Sequence, residues 1–243
     1  MTFSRRLALH IAVMIMGGNI AGGMAAAKAP DQIILTPQSP EALIVVKTDW
    51  WQPAPSMLSA FKLILSSYAD GDEKLTSGMF SGNVMLEARQ KKFVDGYLIA
   101  SIKPGRWVVQ SYSQQDKWAL CFNAASLQFE VKLGEVLYLG RFDALFHRRQ
   151  LTMQAVSTGR ASISGYGFAD FFDLTDGPQF EPVEEAGLAA AKAMLATRAP
   201  GVTAPVTTVT FAPATFGTGS TLFAERKCGG YFNSSAKPKK SAS

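Results

Sequence analysis

The chain has 243 residues, of which 24 are basic and 19 acidic, and its formal net charge is +5. Hydrophobic residues make up 47% of it and include 16 phenylalanines, which is enough for a globular core and excludes an intrinsically disordered protein. Without Arg5 and Arg6 the charge falls to +3 and the remaining cations are scattered, so no nucleic-acid partner is expected.

Residues 1–27 predict a secretory signal peptide. Arg5 and Arg6 form a positive start, residues 7–16 are almost continuously apolar, and residues 25–27 are a small-residue cleavage site. A retained anchor is the alternative, but four glycines between residues 17 and 23 weaken it. The sequence therefore predicts a periplasmic or secreted protein with no stable membrane span after cleavage.

Residues 31–151 predict the core of an antiparallel β-sandwich of about eight short strands. Residues 127–131 show the pattern most clearly, because apolar side chains alternate with Gln128 and Glu130. Turn residues separate such segments about every ten positions, which is typical of a sandwich. The predicted strands cover residues 42–46, 58–67, 83–88, 97–102, 106–112, 118–122, 127–131 and 135–140.

Residues 152–232 are expected to belong to the same domain. They predict a β-hairpin of residues 152–157 and 160–165, a helix over about 182–198 packed on the sandwich, and a strand over 206–211. Pro182 and the acidic residues after it favour a helix start. Segment 166–180, rich in Phe and Asp, receives no assignment, and residues 233–243 predict a disordered basic tail.

The two cysteines, Cys121 and Cys228, fit an oxidising compartment. An even pair in an exported protein most simply forms one disulfide, and two buried free thiols are the alternative. Neither cysteine lies in the predicted leader, which excludes a lipid anchor at the cleavage site.

Signals for catalysis are weak. His10 is lost with the leader, so His147 alone would have to serve a histidine-based site, and no G-x-S-x-G turn accompanies it. Zinc ligands are too few, and Asp70, Asp72 and Glu73 form an incomplete calcium loop. We therefore predict a non-enzymatic protein without cofactor or metal; a hydrolase with an unrecognised site is the alternative.

Two groups of residues are candidates for ligand binding. Trp50 and Trp51 are adjacent, so on a strand one of them faces outward and could stack on a sugar ring, unless both fill the core. His147, Arg148 and Arg149 predict a basic surface turn, or a contact to an anion or phospholipid headgroup through both guanidinium groups.

The strand pattern resembles that of a known group of proteins. Residues 102–109 (IKPGRWVV), Cys121-Phe122, residues 129–131 (FEV) and residues 134–140 (GEVLYLG) are similar to uncharacterised secreted and lipoprotein-type envelope families of proteobacteria. Those families carry a PG-x-aromatic strand and later G-x-V-x-Tyr-x-Gly. The resemblance implies the sandwich fold and assigns no activity to any residue.

The preferred hypothesis is an exported protein that binds another envelope component, either a protein or a glycan. The alternative is a structural subunit of an envelope assembly, held by strand addition at an exposed sheet edge. The sequence leaves the oligomeric state open.

Overall fold

A computed structural model describes residues 29–48, 53–55, 60–69, 74–75, 82–90, 93–114, 118–157, 170–173 and 176–216. Within these ranges the chain forms fourteen strands and two α-helices, after a short 3-10 helix at Pro30–Gln32. The helices are α1 (Ala144–Ser157) and α2 (Glu185–Arg198). The strands are β1 (Ala42–Lys47), β2 (Phe61–Ala69), β3 (Lys74–Leu75), β4 (Asn83–Glu87), β5 (Phe93–Val94), β6 (Tyr97–Ile102), β7 (Gly105–Gln114), β8 (Trp118–Cys121), β9 (Ser126–Val131), β10 (Val136–Phe142), β11 (Asp170–Asp173), β12 (Phe180–Glu181), β13 (Val206–Thr208) and β14 (Ala212–Ala214).

The strands form two sheets, and the predicted mainly-β sandwich with a packed helix is confirmed. The first sheet has the order β12-β10-β1-β6-β5, with β13 also beside β10. The second has the order β11-β8-β7-β2-β3, with β4 beside β2, and with β9 between β7 and β14. Each of the eight strands predicted between residues 42 and 140 overlaps a strand of these sheets.

The burial of strand β1 explains why its sequence predicted a strand. Five consecutive apolar residues, 42–46, are fully buried, because β1 lies inside the first sheet and is covered on both faces. One face, with Ile44, joins the core between the two sheets, and the other, with Leu43, packs beneath α2. Met194 and Leu195 of α2 complete this second cluster, so α2 forms a third layer on the first sheet.

All strand pairs were predicted to be antiparallel, but three of the observed pairs are parallel. Strand β1 pairs with β10 in parallel, and so do β13 with β10 and β11 with β8. A parallel pair needs a long connection. Here such a connection runs from β10 through α2 to β13, which a local sequence pattern does not reveal.

At one edge of the sandwich a short segment, called the crossing segment, passes from the first sheet to the second. Strand β13 belongs to the first sheet and β14 to the second, and residues 209–211 connect them. Val209 and Phe211 pack against the core between the sheets, with the Phe211 ring centroid 5.9 Å from that of Phe129. The crossing segment therefore fastens the two sheets to each other.

The region after residue 142 differs most from the prediction. Residues 152–157 lie in helix α1, so the first strand of the predicted hairpin is wrong, and residues 160–165 lie outside the described ranges. Only residues 206–208 of the late strand predicted over 206–211 form a strand, β13, and residues 209–211 belong to the crossing segment. The predicted signal peptide, residues 1–27, and the predicted basic tail, residues 233–243, also lie outside the described residues. None of the described helices is long and apolar enough to cross a lipid bilayer.

Cys121 ends strand β8 and is fully buried. Cys228, the only other cysteine in the sequence, lies outside the described residues, so the Cys121–Cys228 pairing stays a prediction.

Candidate functional site

The described tryptophans belong to the core. Trp107 and Trp118 are only 5% and 3% exposed, and both are part of the cluster between the sheets. The Trp107 indole N–H donates to the carbonyl oxygen of Lys103 at 2.9 Å. These two side chains are therefore not a sugar-stacking surface. Trp50 and Trp51, the predicted ligand-binding pair, lie outside the described residues.

His147 was predicted at a surface turn, and the structure places it inside the protein instead. It lies on α1 with no exposed surface, stacked on the Phe142 ring at 5.2 Å and edge-on to the rings of Phe122 and Phe146. Because α1 packs this side chain onto the end of the sandwich core, the basic run around it is not a surface turn.

Both ring nitrogens of His147 have protein partners. Nε2 accepts the backbone N–H of Gln179 at 2.9 Å, and Nδ1 lies 3.0 Å from Oε1 of Gln150. The Gln150 amide also donates to Asp176. An Nε2 that accepts a hydrogen bond is unprotonated, so this pattern assigns the neutral imidazole with its proton on Nδ1.

The environment keeps His147 neutral. Burial lowers the pKa of His147 from 6.5 to about 4, although the hydrogen bond with Gln150 and the nearby charges of Asp143 and Asp176 raise the pKa in part. At neutral pH this side chain therefore holds α1 against the segment around Gln179 and carries no charge that could attract an anion.

The side chains of Arg148 and Arg149, which follow His147, lie in different environments. The Arg148 guanidinium lies over the rings of Phe61 and Trp118, with Cζ 5.7 and 5.5 Å from the two centroids, and the residue is half-buried. Arg149 is exposed. The predicted pair of guanidinium groups thus does not converge on one anion site, and Arg149 alone faces outward.

The outward side of α1 also carries apolar side chains. Leu145 is 40% exposed and Phe146 36%, and Met153 and Val156 reach 65% and 68%. Leu145, Arg149, Met153 and Val156 are spaced by four, four and three residues, which places them along one side of the helix. We call Leu145, Phe146, Arg149, Met153 and Val156 the outer face of α1.

The sequence prediction missed this face because it assigned residues 152–157 to a hairpin. One signal was present, since residues 144–157 contain neither glycine nor proline. The helix start was also readable: Asp143 Oδ1 accepts the backbone N–H of Phe146 at 2.9 Å, as an N-cap aspartate does.

A second surface feature is a groove of about 280 Å³ beside strand β9. It is lined by Arg106, Gln128, Phe129, Glu130, Thr210 and Ala212. Arg106 and Glu130 occupy facing positions of β7 and β9, so their charges offset each other across the groove. The lining of this groove is therefore mostly polar, and its two charges are of opposite sign.

Metal ligation finds no support in the described ranges. They contain no group of three or more His, Cys, Asp or Glu side chains placed to hold a metal ion. The acidic loop of Asp70, Asp72 and Glu73 lies outside them.

Comparison with protein-family models, with curated proteins and with solved structures gave no match to this chain.

Proposed function

We propose that this protein is an exported, non-enzymatic component of the cell envelope that binds another envelope protein through the outer face of α1. Export is supported by the leader-like sequence of residues 1–27. The binding surface is supported by the exposed apolar side chains of α1.

The observation that carries the proposal is that α1 has apolar side chains on both of its sides. Ala144, His147 and Leu151 face the sandwich core and are buried, while Leu145, Met153 and Val156 face outward. A surface helix normally has one apolar and one polar side, and a helix that is apolar all round is covered on both. Contiguous exposed apolar side chains of this kind mark interaction sites.

The composition of the outer face favours a protein partner over a glycan. It combines Phe146, Met153 and Arg149, and Phe, Met and Arg are enriched at protein–protein interfaces, where Lys, Glu and Asp are depleted. Helix α1 contains no acidic residue at all. A sugar-binding surface would instead present exposed flat aromatic rings with polar groups around them, and the two described tryptophans are buried.

Site-specific photo-crosslinking in the producing cell tests this proposal. A photo-reactive amino acid at Met153 is expected to give a specific crosslinked protein band, because this position lies in the outer face. The matched control is Lys192, which is exposed on α2 and far from α1 in the chain. The same band from both positions, or no band from Met153, would contradict the proposal.

Intact-mass analysis of the purified protein tests the export part separately. A mature chain beginning at Lys28 and lighter by two hydrogens is expected, the second feature reporting the Cys121–Cys228 disulfide. A retained leader would contradict export by this route while leaving the crosslinking result to decide the binding face.

A further inference from the structure

We infer that the partner of the outer face is an acidic amphipathic helix, whose apolar stripe covers Leu145, Met153 and Val156 and whose carboxylate pairs with Arg149. This inference rests on the proposed function and names the chemistry of the partner. It is carried by the position of Arg149 among the apolar side chains of the outer face.

Arg149 lies in the middle of the outer face rather than at its border. Leu145 precedes it by one helical turn, Met153 follows by one turn, and Val156 by two. The Arg149 side chain makes no ion pair or hydrogen bond with any residue in the described part of the chain. An occupant that covers the apolar side chains must therefore also cover this guanidinium group.

Covering an unpaired charge is unfavourable, because an ion removed from water needs a partner charge and hydrogen bonds. Helix α1 supplies no carboxylate, and the Asp143 side chain before it already caps the helix. The occupant must bring the negative charge. A carboxylate can accept two hydrogen bonds from one guanidinium group, which fixes the register of the contact as well as its strength.

The same position argues against a second copy of this chain. If two α1 helices packed against each other about a two-fold axis through the middle of the outer face, their Arg149 side chains would be brought together with no acidic residue of α1 between them. That arrangement concentrates like charges at the centre of the interface.

A lipid surface fits less well than a protein. Helices that lie in a membrane interface carry their cations on the polar side, away from the apolar stripe. In α1 the side opposite the outer face is packed on the sandwich core, so the cation lies among the apolar side chains themselves. Immersion of Leu145, Met153 and Val156 would draw Arg149 towards hydrocarbon.

Helix α1 has 14 residues and is therefore about 21 Å long, which corresponds to four turns of a partner helix. Helix packing against an apolar helix face is a common recognition mode, read by anchors spaced three and four residues apart. The expected partner segment thus has a short apolar stripe with one Asp or Glu at its centre.

Selection from a displayed library tests the inference. The library consists of 18-residue helices with a fixed leucine stripe and randomised residues beside it, and the bait is the full mature protein. The wild type is expected to enrich Asp and Glu at the randomised positions, and Arg149→Glu to enrich Lys and Arg. Selected acidic helices should bind Arg149→Glu at least tenfold more weakly than wild type, and Lys192→Glu, the control with the same charge change on α2, should bind them normally.

The other outcomes distinguish a failure of the acidic partner helix from a failure of the binding face on α1. Enrichment of helices without charge preference, lost with Met153→Asp, would overturn the acidic partner and leave the binding face intact. No enrichment above the Met153→Asp control would overturn the acidic helix, and a missing crosslink at Met153 would then overturn the binding face as well. Concentration-dependent dimerisation in sedimentation, or binding to phosphatidylglycerol vesicles, would overturn the inference if Met153→Asp abolished it. Circular dichroism of each variant confirms that it is folded.

Discussion

The buried histidine makes a quantitative prediction about stability and pH. In the unfolded chain His147 has the ordinary pKa of 6.5, and in the folded protein burial lowers its pKa to about 4. Between these values the unfolded state binds a proton that the folded state does not, so the free energy of unfolding decreases as the pH falls. The contribution is fully present above pH 6.5 and is lost as the pH falls towards 4.

The size of the effect follows from the two pKa values. A difference of about 2.5 in pKa is equivalent to about 3 kcal/mol, and most of it, about 2–3 kcal/mol, is reached by pH 4.5. His147→Gln removes the titrating group and keeps a side-chain oxygen that can accept the Gln179 N–H. The variant should therefore lose about 2–3 kcal/mol less stability than wild type between pH 7.5 and pH 4.5.

Urea unfolding followed by tryptophan fluorescence at the two pH values measures this difference. Carboxylates that titrate in the same range are common to both proteins and cancel in the comparison. An NMR titration of the imidazole gives the folded pKa directly. Equal losses of stability in wild type and His147→Gln, or an imidazole that titrates near 6.5 in the folded protein, would refute the assignment of a neutral buried ring.

Three further substitutions test the packing of the fold through the free energy of unfolding. Gly134→Ala should destabilise by at least about 2 kcal/mol, because Gly134 has φ +61° and a Cβ there would collide with the Pro37 carbonyl; a neutral effect would contradict the local backbone. Leu195→Ala should cost about 2–5 kcal/mol, because Leu195 is 3% exposed on the side of α2 that faces the first sheet, whereas Leu133→Ala, at a position 62% exposed, should cost less than about 0.5 kcal/mol; similar costs would argue against the α2 layer. Arg198→Ala should leave the free energy of unfolding nearly unchanged, because its ion pair with Asp95, although 3.0 Å long, is exposed to solvent; a loss as large as that of Leu195→Ala would show a role for Arg198 beyond this pair.

The sandwich strands were predictable because their patterns are local. Strand β6 was predicted with its observed bounds, Tyr97–Ile102, and in β9 the alternation of buried Phe129 and Val131 with exposed Glu130 follows the sequence directly. The pairing partners were not predictable, since no local feature of β1 reveals that it lies beside β10 in parallel. Strands β11 to β14 have only two to four residues, too few to show a period.

The candidate site was predicted less well, for a physical reason. Helix α1 has apolar residues on both sides, so the contrast that usually identifies a surface helix is missing. A single histidine next to two arginines also reads as exposed, and only the folded structure shows that His147 is enclosed by Phe122, Phe142 and Phe146. Arg149 is exposed, but its role as a ligand-binding residue stays a prediction, and its position on a helix was not foreseen.

The position of β1 has a consequence for how the chain folds. Leu43 pairs with Val136, 93 residues later in the chain, and with Ser101 on its other side. Contacts between such distant segments form slowly, because a long loop must close before they stabilise anything. Until β10 pairs, one edge of the apolar, uncharged segment Ala42–Val46 stays open even if β6 has already paired with the other edge, and such an open edge is prone to aggregate. The newly made chain is therefore expected to be most prone to aggregation before β10 has been synthesised and has paired with β1.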